Sequence, residues 1–161
     1  AAAGAPPHLY DPCCGSGTTL AAAARRGAVV SGSDRDATKV EGCRENLEHV
    51  GLAAASLRLL DAARDPLPDA RAADCVVINL PWGEKVAQTF GDGERILANV
   101  AKHCRPATPV AVLGRDLGDA DWAALGLELV HACELTPGTV KRGKASFGGT
   151  VGFFLLRTLA K

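Results

Sequence analysis

DPCCGSGTTL, residues 11–20, decides the fold, because it places two glycines between a strand-like segment and a helix-like segment. HLYD leads into these glycines, and the alanine-rich TTLAAAARRG follows them. Alanine is the best helix former, and Gly27 closes this segment with the residue favoured just past a helix end. The stretch therefore predicts a strand, a tight turn and a short helix in succession.

The same alternation continues along the chain. AVVSGSD (28–34) predicts a second strand of small and β-branched residues, and SLRLLD (56–61) predicts a third. DCVVINLPWG (74–83) predicts a fourth strand, and its continuous apolar run is typical of burial on both faces of a parallel sheet. The connection AARDPLPDARAA (62–73) has no helical period and is expected to be irregular.

Two further helices are predicted between these strands. Asp36 is a suitable N-cap for the first, and ERILANVAKHC (94–104) forms the second. Apolar residues recur at helical spacing in both, at Val40, Cys43, Leu47 and Val50 in the first and at Ile96, Leu97, Val100 and Cys104 in the second. Strands that alternate with helices predict an α/β fold with helices on both faces of the sheet.

The C-terminal part departs from this alternation. TPVAVLGRD (108–116) predicts a fifth strand, whereas LGLELVHACEL (125–135) and GTVGFFLLRTL (149–159) are two strands without an intervening helix. We expect these two to pair as an antiparallel hairpin whose long tip is TPGTVKRGKASFG (136–148). Trp122 is expected to pack within a short helix. The complete prediction is a mostly parallel seven-stranded sheet with an antiparallel C-terminal hairpin.

Composition limits the class of protein. A chain of 161 residues with 47% hydrophobic residues is long enough for one domain with a full core. Lys and Arg equal Asp and Glu at 18 each, so no global basic field announces a nucleic-acid partner. An apolar run long enough to span a membrane and a signal peptide are both missing, so we expect a soluble, cytoplasmic protein.

The chain begins AAAGAPPHLYD and contains no methionine, so we expect residues 1–161 to be one domain cut from a longer protein. The six cysteines form no C-x-x-C pair, which fits neither a zinc ribbon nor a thioredoxin-like site. We expect them to stay reduced and to serve mainly as small core residues.

The glycine turn is a candidate nucleotide site. Gly15 and Gly17 match only part of a dinucleotide fingerprint, because Leu20 replaces the third glycine. Asp34 ends the next strand at the distance expected of a ribose acceptor, and Asp61 can reach an adenine amino group in the same crevice. A turn that needs glycine only for its backbone angles is the alternative.

A second candidate site is NLPWG, residues 79–83, at the carboxyl end of the fourth strand. Asn79 offers an amide oxygen, and Pro81 stiffens the turn and leaves the Leu80 carbonyl free as a second acceptor. Trp82 offers a flat apolar face. Two acceptors beside an aromatic ring suit a flat substrate that carries an amino group, and a proline turn with a core tryptophan is the alternative.

In this order and spacing, DPCCGSGTTL, GSDRD, LLDA and NLPWG resemble the motifs of class I S-adenosylmethionine-dependent methyltransferases that modify exocyclic amino groups. They are most similar to the catalytic domain of the THUMP-associated RNA guanine-N2 methyltransferases. The similarity extends well from Tyr10 to about Gly83. It implies a Rossmann-like sheet, S-adenosyl-L-methionine as cofactor, no metal, and an RNA substrate, with tRNA favoured.

The resemblance also assigns site residues. Those implied to hold the cofactor are Asp11, Cys13, Gly15, Ser16, Gly17, Thr18, Asp34, Arg35, Asp61 and Ala62. Those implied to act on the target amine are Asn79, Leu80, Pro81 and Trp82, and Asn79 is expected to be the most sensitive to substitution. In-line transfer from a sulfonium needs alignment and charge stabilisation, so no cysteine nucleophile is required.

Several departures leave alternatives open. The family's motif often reads N-P-P-Y where this chain has N-L-P-W, and this departure leaves the target base open. Adenine-N6 and protein glutamine-N5 methylation, a non-catalytic scaffold subunit and a nicotinamide oxidoreductase are the competing functions. The resemblance places a helix and an RNA-binding THUMP domain before HLYD, so we expect a domain or subunit outside this chain to bind the RNA. Lys141, Arg142 and Lys144 are the local basic residues that can contact phosphate or simply be solvated.

Overall fold

The computed structural model describes residues 4–81, 92–115, 117–135 and 151–160. Within these ranges seven strands form one sheet. The strands are β1 (His8–Asp11), β2 (Val29–Asp34), β3 (Ser56–Leu59), β4 (Cys75–Asn79), β5 (Pro109–Arg115), β6 (Leu127–Leu135) and β7 (Val151–Thr158). The helices are α1 (Thr18–Ala24), α2 (Ala37–His49), a 3₁₀ turn (Pro68–Arg71) and α3 (Asp92–His103).

The strand order across the sheet is β3-β2-β1-β4-β5-β7-β6. The first five strands in this order pair in parallel, and β7 runs antiparallel between β5 and β6. The predicted mostly parallel, seven-stranded sheet with an antiparallel C-terminal hairpin is therefore confirmed. The tip of that hairpin and its basic residues lie outside the described residues.

Helices pack on both faces of the sheet. On one face α1 and α2 bury a small cluster over β1, β2 and β3 that includes Leu20, Cys43 and Leu47. On the other face α3 and the 3₁₀ turn bury a larger cluster that includes Tyr10 and Ile78. The helical periodicity in the sequence predicted α2 and α3 because their apolar positions face these two clusters.

Four local expectations differ from the structure. Val77 of β4 is only partly buried, so the continuous apolar run of this strand does not correspond to complete burial on both faces. Val50 follows the end of α2 and is exposed. Pro68 starts a 3₁₀ turn inside the connection that was expected to be irregular. Trp122 lies in consecutive turns instead of a helix, although it does pack on Phe154 as a partly buried side chain.

The parallel strands place their carboxyl ends at one edge of the sheet. β1 ends at Asp11, β2 at Asp34 and β4 at Asn79. Residues that are far apart in the sequence are thereby brought close together along this edge of the sheet. In the part of the chain that the structure describes, no helix has the length and apolarity needed to cross a membrane.

Candidate active site

A cavity of about 220 Å³ lies along this edge of the sheet. Eight of the residues that the sequence predicted as site residues line it: Cys13, Gly15, Asp34, Arg35, Asp61, Ala62, Asn79 and Pro81. The glycine turn and the strand-end asparagine therefore face one space, as ligands at the edge of an open α/β sheet require.

The two glycines of the turn have different functions. Gly15 and Gly17 both have positive φ, at 51° and 85°, which favours glycine at both positions. A Cβ at Gly15 would meet nothing within 4 Å, so the backbone there borders open space. A Cβ at Gly17 would lie 2.6 Å from Cys43 Sγ, so this glycine lets α2 approach the turn.

Leu20 explains why the glycine fingerprint is incomplete. In the dinucleotide fingerprint the third glycine allows the helix to pack closely on the strand. Here Leu20 is fully buried, and the close approach is provided from the strand, where a Cβ on Gly32 would lie 2.7 Å from Leu20 Cδ1. In this chain the glycine that permits the close packing of helix and strand is therefore Gly32 of β2, and α1 carries the larger Leu20.

Asp34 joins the end of β2 to the glycine turn. Its Oδ2 accepts a hydrogen bond of 2.9 Å from the Gly15 amide, and its Oδ1 accepts one of 3.0 Å from the Asp36 amide. Each carboxylate oxygen has a second lone-pair site, so Asp34 can still accept from ligand hydroxyls in the cavity.

Asp11 lies beneath the cavity and does not line it. Its side chain is 1% exposed, and Oδ1 accepts a hydrogen bond of 3.0 Å from the Cys13 amide. Burial raises the pKa of Asp11 from 3.8 to about 7, and the neighbouring Asp34 charge adds to this increase. The hydrogen bond from the Cys13 amide to Asp11 therefore helps to hold the start of the glycine turn.

Three other predicted cofactor residues also lie away from the cavity lining. The Ser16 carbonyl accepts a hydrogen bond of 3.0 Å from Asn46 Nδ2 of α2, and Gly17 is packed against that helix. Thr18 is the exposed first residue of α1. The contacts of Ser16 and Gly17 therefore hold the glycine turn against α2.

The end of β4 presents Asn79 and Pro81 to the cavity, whereas the Leu80 side chain turns away. Leu80 is 4% exposed and belongs to the larger core cluster, and its amide donates a hydrogen bond of 2.9 Å to the Leu113 carbonyl. Any contact of Leu80 with a ligand is therefore made by its backbone. Trp82 lies outside the described residues.

Sequence reasoning missed five residues that also line the cavity: Pro12, Ala63, Arg64, Asp92 and Ile96. Pro12, Ala63 and Arg64 adjoin predicted positions, so the cavity-lining segments extend one or two residues beyond the predicted motifs. Asp92 and Ile96 come from α3, and the helical spacing in the sequence indicates Ile96 only as a core residue. No sequence signal places the first turn of α3 beside the glycine turn, because that proximity depends on how α3 packs.

The lining fits a nucleoside-type ligand. Asp34 and Asp61 supply acceptors for hydroxyl and amino groups, and Ala62 and Ile96 supply apolar surface for a ring. The open space in front of Gly15 allows a ligand to approach the backbone closely.

The fold is that of a Rossmann-like methyltransferase, and comparison with known proteins agrees. The RMKL-like methyltransferase domain family matches residues 3–96, and the chain belongs to this family. A tRNA (guanine(10)-N2)-dimethyltransferase of Methanothermobacter thermautotrophicus is 39% identical over 85 residues, which are 53% of this chain and 24% of that protein.

Two solved structures share the fold. TrmN from Thermus thermophilus superposes with a TM-score of 0.70 at 25% identity, over 96% of this chain and 45% of that one. An RNA methyltransferase from Salinibacter ruber, solved with S-adenosyl-L-homocysteine, superposes with a TM-score of 0.65 at 20% identity, over 96% of this chain and 82% of that one. The chain thus spans about a quarter of the curated relative and under half of TrmN.

Proposed function

We propose that this chain is the catalytic domain of an S-adenosylmethionine-dependent methyltransferase that modifies an exocyclic amino group of a nucleobase. The observation that carries the proposal is that the glycine turn, Asp34 and Asn79 line one and the same cavity. The proposed target is guanine N2 in RNA, with tRNA favoured. The similarity to a tRNA guanine-N2 dimethyltransferase and to TrmN supports this choice.

In this proposal the residues at the β2 and β3 ends hold the cofactor. Asp34 accepts from the ribose hydroxyls, Asp61 lies at the adenine edge, and Arg35 and Ala62 flank the ring. Gly15 leaves room for the part of the cofactor that crosses the turn. When bound, S-adenosylmethionine supplies an electrophilic methyl group on its sulfonium.

Asn79 aligns and activates the target amine. The lone pair of an aromatic amine is delocalised into the ring, so the amine is a poor nucleophile. The Asn79 amide oxygen and the Leu80 carbonyl accept the two amine hydrogens, which favours a pyramidal nitrogen and stabilises the positive charge that develops on it. The target base has to be flipped out or unpaired to reach this position.

We propose that the RNA is bound mainly by a domain or subunit outside this chain. The balanced charge of the chain, 18 basic against 18 acidic residues, favours a substrate grip that is supplied by another domain or subunit. The same site geometry also fits adenine N6 and a glutamine side chain, since both present a planar amino or amide group to Asn79.

Product analysis distinguishes these acceptors. The protein would be incubated with methyl-labelled S-adenosylmethionine and unmodified tRNA, and the tRNA would be digested to nucleosides. We expect label in N2-methylguanosine, at a rate at least about 100-fold lower when Asn79→Ala replaces the wild type. Label in N6-methyladenosine, or label in protein glutamine in place of tRNA, would refute the guanine assignment, and transfer at the wild-type rate in Asn79→Ala would refute the site.

A further inference from the structure

Asn99 of α3 makes a contact that no motif in the sequence indicates. Its Nδ2 donates a hydrogen bond of 2.9 Å to the Ala62 carbonyl and one of 2.8 Å to the Asp65 carbonyl. An amide nitrogen has two hydrogens, so both are used across a sequence separation of more than 30 residues. Asn99 thereby joins α3 to the Asp61 turn, residues 61–65.

The Asp61 turn is a compact unit. The Asp61 carbonyl accepts from the amides of Arg64 and Asp65 at 3.0 and 2.8 Å. The Asp65 side chain accepts from the Asp61 amide at 2.7 Å, and the Asp61 side chain accepts from the Ala63 amide at 3.0 Å. These four hydrogen bonds within five residues hold the turn in one compact conformation.

The turn lies at the edge of the sheet, and its residues Ala62 and Ala63 also pack with the larger core cluster. It follows β3, which is the outermost strand and pairs with β2 alone among the described strands. On the other side stands α3, whose Leu97 and Val100 are fully buried in the core. Asn99 therefore links the Asp61 turn, at the edge of the sheet, to a helix that is anchored in the core.

This turn supplies four cavity residues, Asp61, Ala62, Ala63 and Arg64. We infer that Asn99 is a positioning residue for adenine recognition, which holds Asp61 and Ala62 at the distance where they discriminate the adenine ring of the cofactor. The inference rests on the proposed function, because it requires that adenine binds at the Asp61 turn. Asn99 itself contacts the turn and does not line the cavity.

The test compares two ligands that differ at the adenine amino group. Calorimetric affinities would be measured for S-adenosylhomocysteine and for S-inosylhomocysteine, in which oxygen replaces that amino group. An acceptor at Asp61 favours the amino form, so wild type should prefer S-adenosylhomocysteine. Asn99→Leu removes both donors at similar volume, and we expect its dissociation constant for S-adenosylhomocysteine to rise about tenfold and its preference to shrink.

Kinetics separate positioning from a loss of structure. At saturating cofactor, kcat of Asn99→Leu should stay within about twofold of wild type, while the KM for the cofactor rises. Glu94→Gln is the matched control, because Glu94 is exposed on the same helix, and it should leave both ligands unaffected. Circular dichroism would verify folding, and Asn99→Ala would replace Asn99→Leu if the latter does not fold.

The outcomes are distinguishable. A folded Asn99 variant with unchanged affinity, or with equal losses for both ligands and an unchanged preference, overturns the inference and leaves the proposed function intact. Failure of wild type to bind S-adenosylhomocysteine overturns the proposed function, and the inference with it.

Discussion

At the scale of single residues, Asn79 is the group that the proposed chemistry needs most. Its side chain reaches the cavity from the last position of β4. We predict that Asn79→Ala lowers kcat about 100-fold or more, because it removes a preorganised acceptor for charge that develops in the transition state. Steady-state kinetics at saturating cofactor measure this effect.

Cofactor affinity is the control for this prediction. The contacts assigned to the nucleoside come from β2 and the Asp61 turn, so S-adenosylhomocysteine should bind Asn79→Ala within about twofold of wild type. Full activity together with normal cofactor binding would exclude Asn79 from the chemistry.

Asp11 gives the stability a defined pH dependence. Its pKa is about 7 in the folded protein and about 3.8 when the chain is unfolded. Between about pH 4 and about pH 7, Asp11 is therefore protonated in the folded protein and ionised in the unfolded chain. The contribution of Asp11 protonation to the free energy of unfolding is fully present below about pH 4 and is lost as the pH rises through 7. The expected loss is a few kcal/mol.

Asp11→Asn tests this prediction, because asparagine keeps an acceptor for the Cys13 amide and cannot ionise. Urea unfolding at about pH 5 and about pH 8 should show a smaller difference in unfolding free energy for Asp11→Asn than for wild type. Identical pH profiles would show that Asp11 is ionised throughout.

At the scale of elements, the glycine turn and α2 depend on each other through Gly17. We predict that Gly17→Ala destabilises the protein by about 1–3 kcal/mol, since alanine has to adopt a φ of 85° and its Cβ meets Cys43 Sγ. The turn would shift, so the affinity for S-adenosylhomocysteine should fall as well. Chemical denaturation and calorimetry measure the two effects.

Gly42→Ala is the matched control within α2. A Cβ at Gly42 would meet nothing within 4 Å, and alanine favours a helix interior over glycine by about 0.5–1 kcal/mol. This variant should be more stable than wild type and bind the ligand normally. Equal behaviour of the two alanine variants would contradict the packing of Gly17 on α2.

The elements that the sequence predicted are those with a strong local signal. Helical spacing predicted α2 and α3, and β-branched runs bounded by turn residues predicted the strands. The short 3₁₀ turn at Pro68 and the turns around Trp122 were assigned wrongly, because three or four residues contain too little periodicity. Tertiary contacts determine such short segments.

The candidate site was predictable where it lies at strand ends. Asp34 and Asn79 end two parallel strands and Asp61 follows a third, so the topology alone brings them together. Asp92 and Asn99 could not be found in this way, since their location depends on the packing angle of α3. The burial of the Leu80 side chain also required the structure, because it depends on space left by Gly114, where a Cβ would lie 3.1 Å from Leu80 Cδ1.

At the scale of the whole molecule, the balanced charge of this chain favours a low affinity for RNA. We predict that the chain alone binds unmodified tRNA only in the non-specific range, with a dissociation constant of about 10⁻⁴ to 10⁻⁶ M at physiological salt. Fluorescence anisotropy at two salt concentrations measures this affinity, and nanomolar affinity of the chain alone would contradict the prediction.

The basic residues between β6 and β7 provide a control for this measurement. Replacing Lys141, Arg142 and Lys144 together by alanine should reduce the salt dependence if these residues contact phosphate. An unchanged salt dependence would assign them to a solvated loop, as the sequence equally allows.

Calorimetric titration with S-adenosylhomocysteine tests the proposed methyltransferase site most directly, with NAD as the competing ligand and Asp34→Ala as the second protein. We predict that S-adenosylhomocysteine binds, that NAD does not, and that Asp34→Ala weakens binding at least about tenfold, because it loses both the ribose acceptor and the hydrogen bond to the Gly15 amide. Preferential binding of NAD, or unchanged affinity in a folded Asp34→Ala protein, would contradict the assignment of this cavity to S-adenosylmethionine.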